Sequence, residues 1–256
     1  MTRRAAARLL PATLVLAVLG AAWQVAALTL ANPRLLPTPG RVAEQAWAQR
    51  DVLAEHTTAT LGVTAAGFAV SVVVAWALAL LVDLVPAVGR GIVPVLVASQ
   101  TVPVVALAPL VVLWFGFGLL PKVLVVTLVT FFPLVVGLVE GLRAAGPGAT
   151  ALLTSMGASR WQQLRWVRLP GALPRFFTAL RIAVTYAVVG AVFAEYVGAV
   201  RGLGTYMNMQ RAAFRTDLVL AAVALCALVS VGLYGLTWLL ERVTVPWAHP
   251  RTVARA

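Results

Sequence analysis

Lysine is almost missing from this chain: of its twenty basic residues only Lys122 is a lysine, and Val123 follows it. A phosphate-cradling loop of the Walker type needs a glycine-rich turn that ends in lysine and then Ser or Thr. Its backbone amides hold the phosphates while the lysine reaches their oxygens. The chain therefore cannot hydrolyse ATP with a loop of that kind. Cysteine is as scarce. Cys226 stands alone, which excludes an internal disulfide framework, and within an apolar run a single thiol reads as a small core residue before a nucleophile. His56 and His249 are far apart, and nothing in the sequence has metal-ligand spacing. Acidic residues number only eight. They form no convergent set with a nucleophile or histidine at one depth, which argues against an enzyme. The alternating strands of an outer-membrane barrel are absent too.

What is present is apolar. Hydrophobic residues make up 61% of the 256 and charged ones 11%, and the apolar runs are too long and too many for a water-soluble core. A helix needs about 20 apolar residues to cross a hydrocarbon layer about 30 Å thick. Six windows qualify: residues 9–30, 60–82, 91–115, 123–142, 177–200 and 218–240. Lipid offers no partner for backbone polar groups, so the expected fold is an all-α polytopic membrane protein. The start, MTRRAAARLLPATLVLAVLG, has the charged head and apolar middle of a secretory signal, but five further spans downstream favour a retained first helix. The whole of 1–256 is expected to be one transmembrane domain, with a core at about 56–242 and helix 9–30 at its periphery.

The net charge of +12 would suggest nucleic acid in a soluble protein; here the charges flank the spans. With a cytoplasmic N-terminus, twelve basic residues lie inside and seven outside, leaving Arg181 within a span. The positive-inside rule then places both termini and the segment 150–174 in the cytoplasm. Trp23, Trp47, Trp114, Trp238 and Trp247 read as interfacial anchors, Trp114 also as a weaker pore candidate. Between spans one and two, Pro33, Pro37 and Pro39 resist helix, while Val42, Ala46, Trp47 and Leu53 can share the apolar face of a short helix lying on the membrane. Pro121 and Lys122 are expected to form a tight outer turn. No internal repeat is visible, which weighs against inverted-repeat transporters.

Three features carry function. Span three holds Pro94, Pro103 and Pro109 together with Gln100 and Thr101, so its helix should break midway. Broken helices are tolerated at membrane depth where freed carbonyls face a cavity, which makes Gln100, Thr101 and Pro103 candidates for lining a path. A proline kink packed against its neighbours is the plain alternative. Glu195, late in span five, is costly in lipid and faces either a cavity or a partner; it too is a path candidate, the alternative being a structural charge near the outer boundary. Arg181, about 21 Å away along the same helix, is expected to snorkel towards the cytoplasm, and Glu140 to pair with Arg143. The third feature is the basic segment between spans four and five. Arg143, Arg160, Arg165, Arg168 and Arg175 flank or lie within it, with no acid among them. Gly157 permits a turn after a helix at 150–156, Ser159 can cap a second helix at 160–167, and Pro170 is expected to stop it. Two short helices joined by glycine make a compact knob.

Gly157, Ala158 and Ser159, followed by Leu169 and Pro170, resemble the cytoplasmic loop of permease subunits of ATP-binding-cassette importers. The chain departs from that pattern at Ala151, where an acidic residue is usual, and at Leu152 and Leu153, where alanines are usual. The stretch MGASRWQQLRWVRLPGALPRFFTALRIA is similar to permeases of the nitrate, taurine and aliphatic-sulfonate group. SQTVPVVALAPLVVLWFGFGLLPKVL, FFP and GLGTYM with a later TDL look most like those for hydroxymethylpyrimidine-type thiamine precursors. The resemblance runs from about residue 36 to 247 and implies a type I importer permease in the inner membrane. It also implies a coupling loop at 143–175 in which Gly157, Ala158, Ser159, Arg160, Leu169 and Pro170 meet a separate ATPase. This chain would itself bind no cofactor, ATP and magnesium residing on that partner. The implied assembly is a homodimer with an ATPase pair and an external solute-binding protein. An ATP-independent secondary transporter would want a relay of buried acids, for which Glu195 alone is thin, and a structural subunit of a larger complex stays open.

Overall fold

A computed structural model describes residues 2–29, 35–99, 101–144 and 146–248, and among these the regular structure is helical throughout. Helix α1 (Thr2–Thr29) has most of its described leucines and valines exposed, as a lipid-facing surface would. Its Trp23 indole donates to the Pro37 carbonyl at 3.1 Å. Helix α2 (Pro39–Ala48) starts at Pro39, which fits because a first-turn proline gives up an amide that has no intrahelical partner; Thr38 caps it. The outer connector therefore helps to build the fold. Arg41 and Arg215 both reach Asp217, at 3.5 and 3.2 Å, and buried Val42 packs with Leu218 and Ala221. Helix α3 (Arg50–Leu84) then runs for 35 residues and absorbs Leu53, expected on the surface helix, into span two.

Span three is two helices, α4 (Pro86–Ser99) and α5 (Val104–Phe115), with non-helical backbone at 101–103 between them. Pro103 caps the second with an extended backbone. Helix α6 (Leu119–Ala144) begins before Pro121 and Lys122, so the expected turn at those residues is instead helix; proline fits a first turn, and the chain reverses earlier, where Gly116 takes φ +76°. Helix α7 (Pro147–Ser155), α8 (Arg160–Gln163) and a π-helical turn, Leu164–Arg168, form the segment between spans four and five. Helix α9 (Leu169–Gly198) follows without interruption. Pro170 therefore does not stop a helix. It sits two residues into α9, directly after the π-helical turn, and the helix continues through it. Helices α10 (Leu203–Ala212) and α11 (Thr216–Thr244) complete the bundle. The glycine-rich stretch before span six did not announce α10.

Among the described residues four helices are long and apolar enough to cross a membrane: Arg50–Leu84, Leu119–Ala144, Arg160–Gly198 and Thr216–Thr244. Their centre is the α6–α9 contact. An added Cβ on Gly137 would stand 2.4 Å from that of Ala179, and one on Gly141 would lie 3.0 Å from the Ala172 carbonyl oxygen. In lipid, helices associate through such close backbone approach, because the surrounding tails are as apolar as the interface. Leu134, Leu138 and Leu142 of α6 fill the space beside it with Phe176, Phe177 and Leu180 of α9. On α3, Gly67 accepts a hydrogen bond from Thr127 of α6 at 3.1 Å.

Two expectations for charged residues are corrected. Arg181 does not snorkel away: it meets Glu241 of α11 at 2.8 Å, with only 5% of the glutamate side chain exposed. That partner lies on a helix sixty residues further along and was hidden from a one-helix argument. Glu140 forms no ion pair with Arg143; Arg175 instead donates to its backbone carbonyl at 2.9 Å. Gly137→Leu should lower the thermal midpoint of the detergent-purified protein, overpacking costing about 1–3 kcal/mol. Gly235→Ala, whose added Cβ meets nothing within 4 Å, should not.

Candidate functional site

The knob is built by local rules. Helix α7 ends where Gly157 adopts φ +80°, a left-handed conformation that a side chain would strain. The Gly157 and Ala158 amides then satisfy the last carbonyls of α7, Thr154 at 3.0 Å and Leu153 at 2.9 Å. Ser159 opens α8 through a reciprocal capping box with Gln162: the Gln162 amide donates to Ser159 Oγ, and the Ser159 amide donates to Gln162 Oε1 at 2.7 Å. Gln163 stitches the two helices together, donating to Thr154 Oγ1 at 3.2 Å and to the Ala158 carbonyl at 3.0 Å. Sequence reading missed Gln163, since a glutamine in a basic loop carries no signal of its own.

The knob is anchored from below. Leu164 is buried among Leu142, Ala172 and Val245. Arg168 bridges to Asp83 at the end of α3 and donates to the Leu142 carbonyl of α6. One guanidinium thus joins the knob to two spans. Outward, Leu152, Met156, Trp161 and Trp166 are 61–73% exposed, beside exposed Arg160 and Ala151. Apolar side chains this exposed, held on a rigid turn, form a surface suited to a protein partner.

At the opposite end, Glu195 is only 1% exposed and enclosed by its own chain. Its Oε2 accepts from Thr60 Oγ1 of α3 at 2.9 Å and from the Gly204 amide at 3.0 Å, and Thr60 Oγ1 accepts from the Leu203 amide at 2.8 Å. His56 Nδ1 lies 3.0 Å from the Gly202 nitrogen. Gly202, at φ +134°, leaves no room for a side chain: an added Cβ would stand 2.1 Å from the Glu195 carboxyl carbon. GLGTYM is thus a seal clamping α10 onto α3 and α9. Thr60, His56 and Gly202 were not anticipated as Glu195's neighbours.

The broken span borders a cavity of about 670 Å³. Val102, Val104 and Leu107 line it from the break, Phe131, Phe132 and Pro133 from α6, and Tyr186 from α9. Pro133 has no amide to give the Val129 carbonyl, and Val129 lines the same space. Thr101 is exposed and bonded to the Ala98 carbonyl at 2.7 Å, and Pro103 is exposed beside it. Gln100 lies outside the described residues. The structure does not bring Glu195 into this cavity. Phe131, Phe132 and Tyr186 are the aromatic groups that line it, and of these the sequence reading passed over Tyr186. Among the described residues no group of His, Cys, Asp and Glu could hold a metal ion.

Knob, broken helix and helical bundle coincide with a known family, whose profile, described as binding-protein-dependent transport system inner membrane component, matches residues 71–245. The chain belongs to that family. It is an inner-membrane permease of the ATP-binding-cassette importers of small solutes. Similar proteins include the riboflavin transport system permease of Chloroflexus aurantiacus, 39% identical over 93% of this chain and 89% of that one. The formylaminopyrimidine transport permease of Halalkalibacterium halodurans is 36% identical over 92% and 94%. The taurine transport system permease of Escherichia coli is 35% identical over 88% and 84%.

Two outcomes follow from the permease's geometry. Glu195→Ala strands the buried Gly204 amide, at a cost of about 1–3 kcal/mol, while the Thr60 hydroxyl keeps the His56 carbonyl at 3.1 Å. It should lower the thermal midpoint well beyond Glu195→Gln, which keeps an accepting oxygen. A double-mutant cycle of Asp83→Asn and Arg168→Gln, read by chemical or thermal denaturation, should give a coupling of about 0.5–3 kcal/mol.

Proposed function

We propose that this permease passes a pyrimidine-type thiamine precursor through a homodimeric pathway into the cytoplasm. A separate ATPase pair, seated on the knobs, powers it, and an external binding protein delivers the solute. Both termini and the knob face the cytoplasm, in keeping with the excess of arginine at that end. Gly157, Ala158, Ser159, Arg160, Leu169 and Pro170 shape or carry the coupling surface. Its contacting face is Leu152, Met156, Trp161 and Trp166, with arginines around it. With Ala151 at the usual acidic position, docking relies on apolar shape and positive charge. ATP and magnesium belong to the partner.

Gln100, Thr101 and Pro103 serve the pathway at the break in span three. The observation that carries the solute reading is 36% identity, over nearly the full length of both chains, to a permease named for formylaminopyrimidine. The aromatic lining of the adjoining cavity supports it, since Phe131, Phe132 and Tyr186 offer faces to a flat ring and little to a compact sulfonate. The riboflavin permease supports a second reading of the same kind, a larger flat heterocycle.

In proteoliposomes holding permease, ATPase and binding protein, labelled hydroxymethylpyrimidine or formylaminopyrimidine should accumulate on ATP addition, and taurine should not. Taurine uptake without pyrimidine uptake would overturn the solute assignment. Gly157→Val and Trp161→Ala should leave membrane insertion intact yet abolish uptake and release the ATPase from the purified complex. Unchanged coupling in both would sink the docking assignment.

A further inference from the structure

At the knob end of the bundle, a second cavity of about 580 Å³ lies between α3, α4, α6 and the π-helical turn. It shares no lining residue with the cavity at the broken helix. Its charged groups are Arg90, Arg143, Arg168 and Asp83, three guanidiniums against one carboxylate. Asp83 is already engaged by Arg168. Arg90 and Arg143 make no ion pair or side-chain hydrogen bond with any described residue. The floor is apolar and closed: Ala79, Val82 and Val139 are each at most 7% exposed.

We propose that Arg90, Arg143 and Arg168 form a binding site for a phosphate-bearing anion. Three guanidiniums converge on one cavity that holds a single carboxylate, and this excess of one sign at a concave site favours an anion between them. The planar guanidinium fork matches phosphate oxygens in pairs, which a point charge does not. The volume falls within the roughly 300–1,000 Å³ of small-molecule sites. A phosphodiester headgroup suits the whole of it: the phosphate meets the arginines while the carbon skeleton beside it lies against Val82 and Val139. Basic pockets between transmembrane helices are recognised sites for anionic headgroups. An inorganic phosphate would use the arginines alone. Through Arg168 the ligand also steadies the knob, whatever solute the permease carries.

The test uses the full-length permease in mild detergent, with native mass spectrometry and thermal midpoints as readouts. The probes are phosphatidylglycerol, phosphatidylcholine and inorganic phosphate, each tested separately. Wild type should retain phosphatidylglycerol over phosphatidylcholine and gain thermal stability from it. Arg90→Gln with Arg143→Gln should weaken that binding at least about tenfold. Arg165→Gln with Arg242→Gln, which removes two charges from the same end, should change it little. Should the double variant aggregate, the single variants Arg90→Gln and Arg143→Gln carry the comparison. Stabilisation by phosphate that is lost with the same two arginines, without selective lipid retention, assigns the site to soluble phosphate. Equal losses in both double variants, equal retention of the two lipids with no phosphate effect, or no binding of any probe would overturn the proposal.

Discussion

The close approach of α6 and α9 is the constraint on which the rest of this permease depends. Where an added Cβ at Gly137 would reach 2.4 Å from its neighbour, the two backbones can hardly move apart without losing dispersion contacts along the seam. The knob connects these same two helices. Its own order comes from short-range bonding, the capping box at Ser159 and the Gln163 stitch, and its footing comes from Leu164 and Arg168. A knob so held cannot rotate independently of the seam. Nothing between the knob's surface and the two helices is slack.

The two ends of the bundle solve the problem of charge differently. At the Glu195 end, a carboxylate is enclosed by a hydroxyl and an amide, with glycine where any side chain would collide. At the knob end, Arg168 and Asp83 meet beside two further arginines that line the same cavity. Midway, Arg181 and Glu241 tie α9 to α11. Each carboxylate thus crosslinks helices distant in sequence. In lipid such a link is strong, because breaking it leaves a charge with no water to receive it.

Much of this was legible in the residues. Apolar run length locates spans two, four, five and six, because hydrocarbon thickness sets helix length whatever the neighbours. Pro103 announces the break in span three, and Gly157 with Ser159 announces the knob, because these residues act through their own backbone. What escaped depended on partners far along the chain. Arg181 looked solitary until Glu241 was beside it, and Glu195 looked like a path residue until α10 folded over it. Pro170 misled for the opposite reason: a proline is a local sign of a boundary, but here the helix continues through it directly after the π-helical turn. Helix α10, polar and glycine-led, is held by Tyr206, whose hydroxyl donates to Gln49 at 2.9 Å, and no local pattern reports such a contact.

The unbroken passage from the π-helical turn into α9 has a mechanical side. With 30 residues at about 1.5 Å each, α9 is a rod about 45 Å long. A tilt of about 5° at its knob end moves the other end by about 4 Å, roughly three-quarters of the 5.4 Å helical pitch. Glu195 rides near that far tip, so its clamp on α10 sits where leverage is greatest and where a small displacement at the knob end is most magnified.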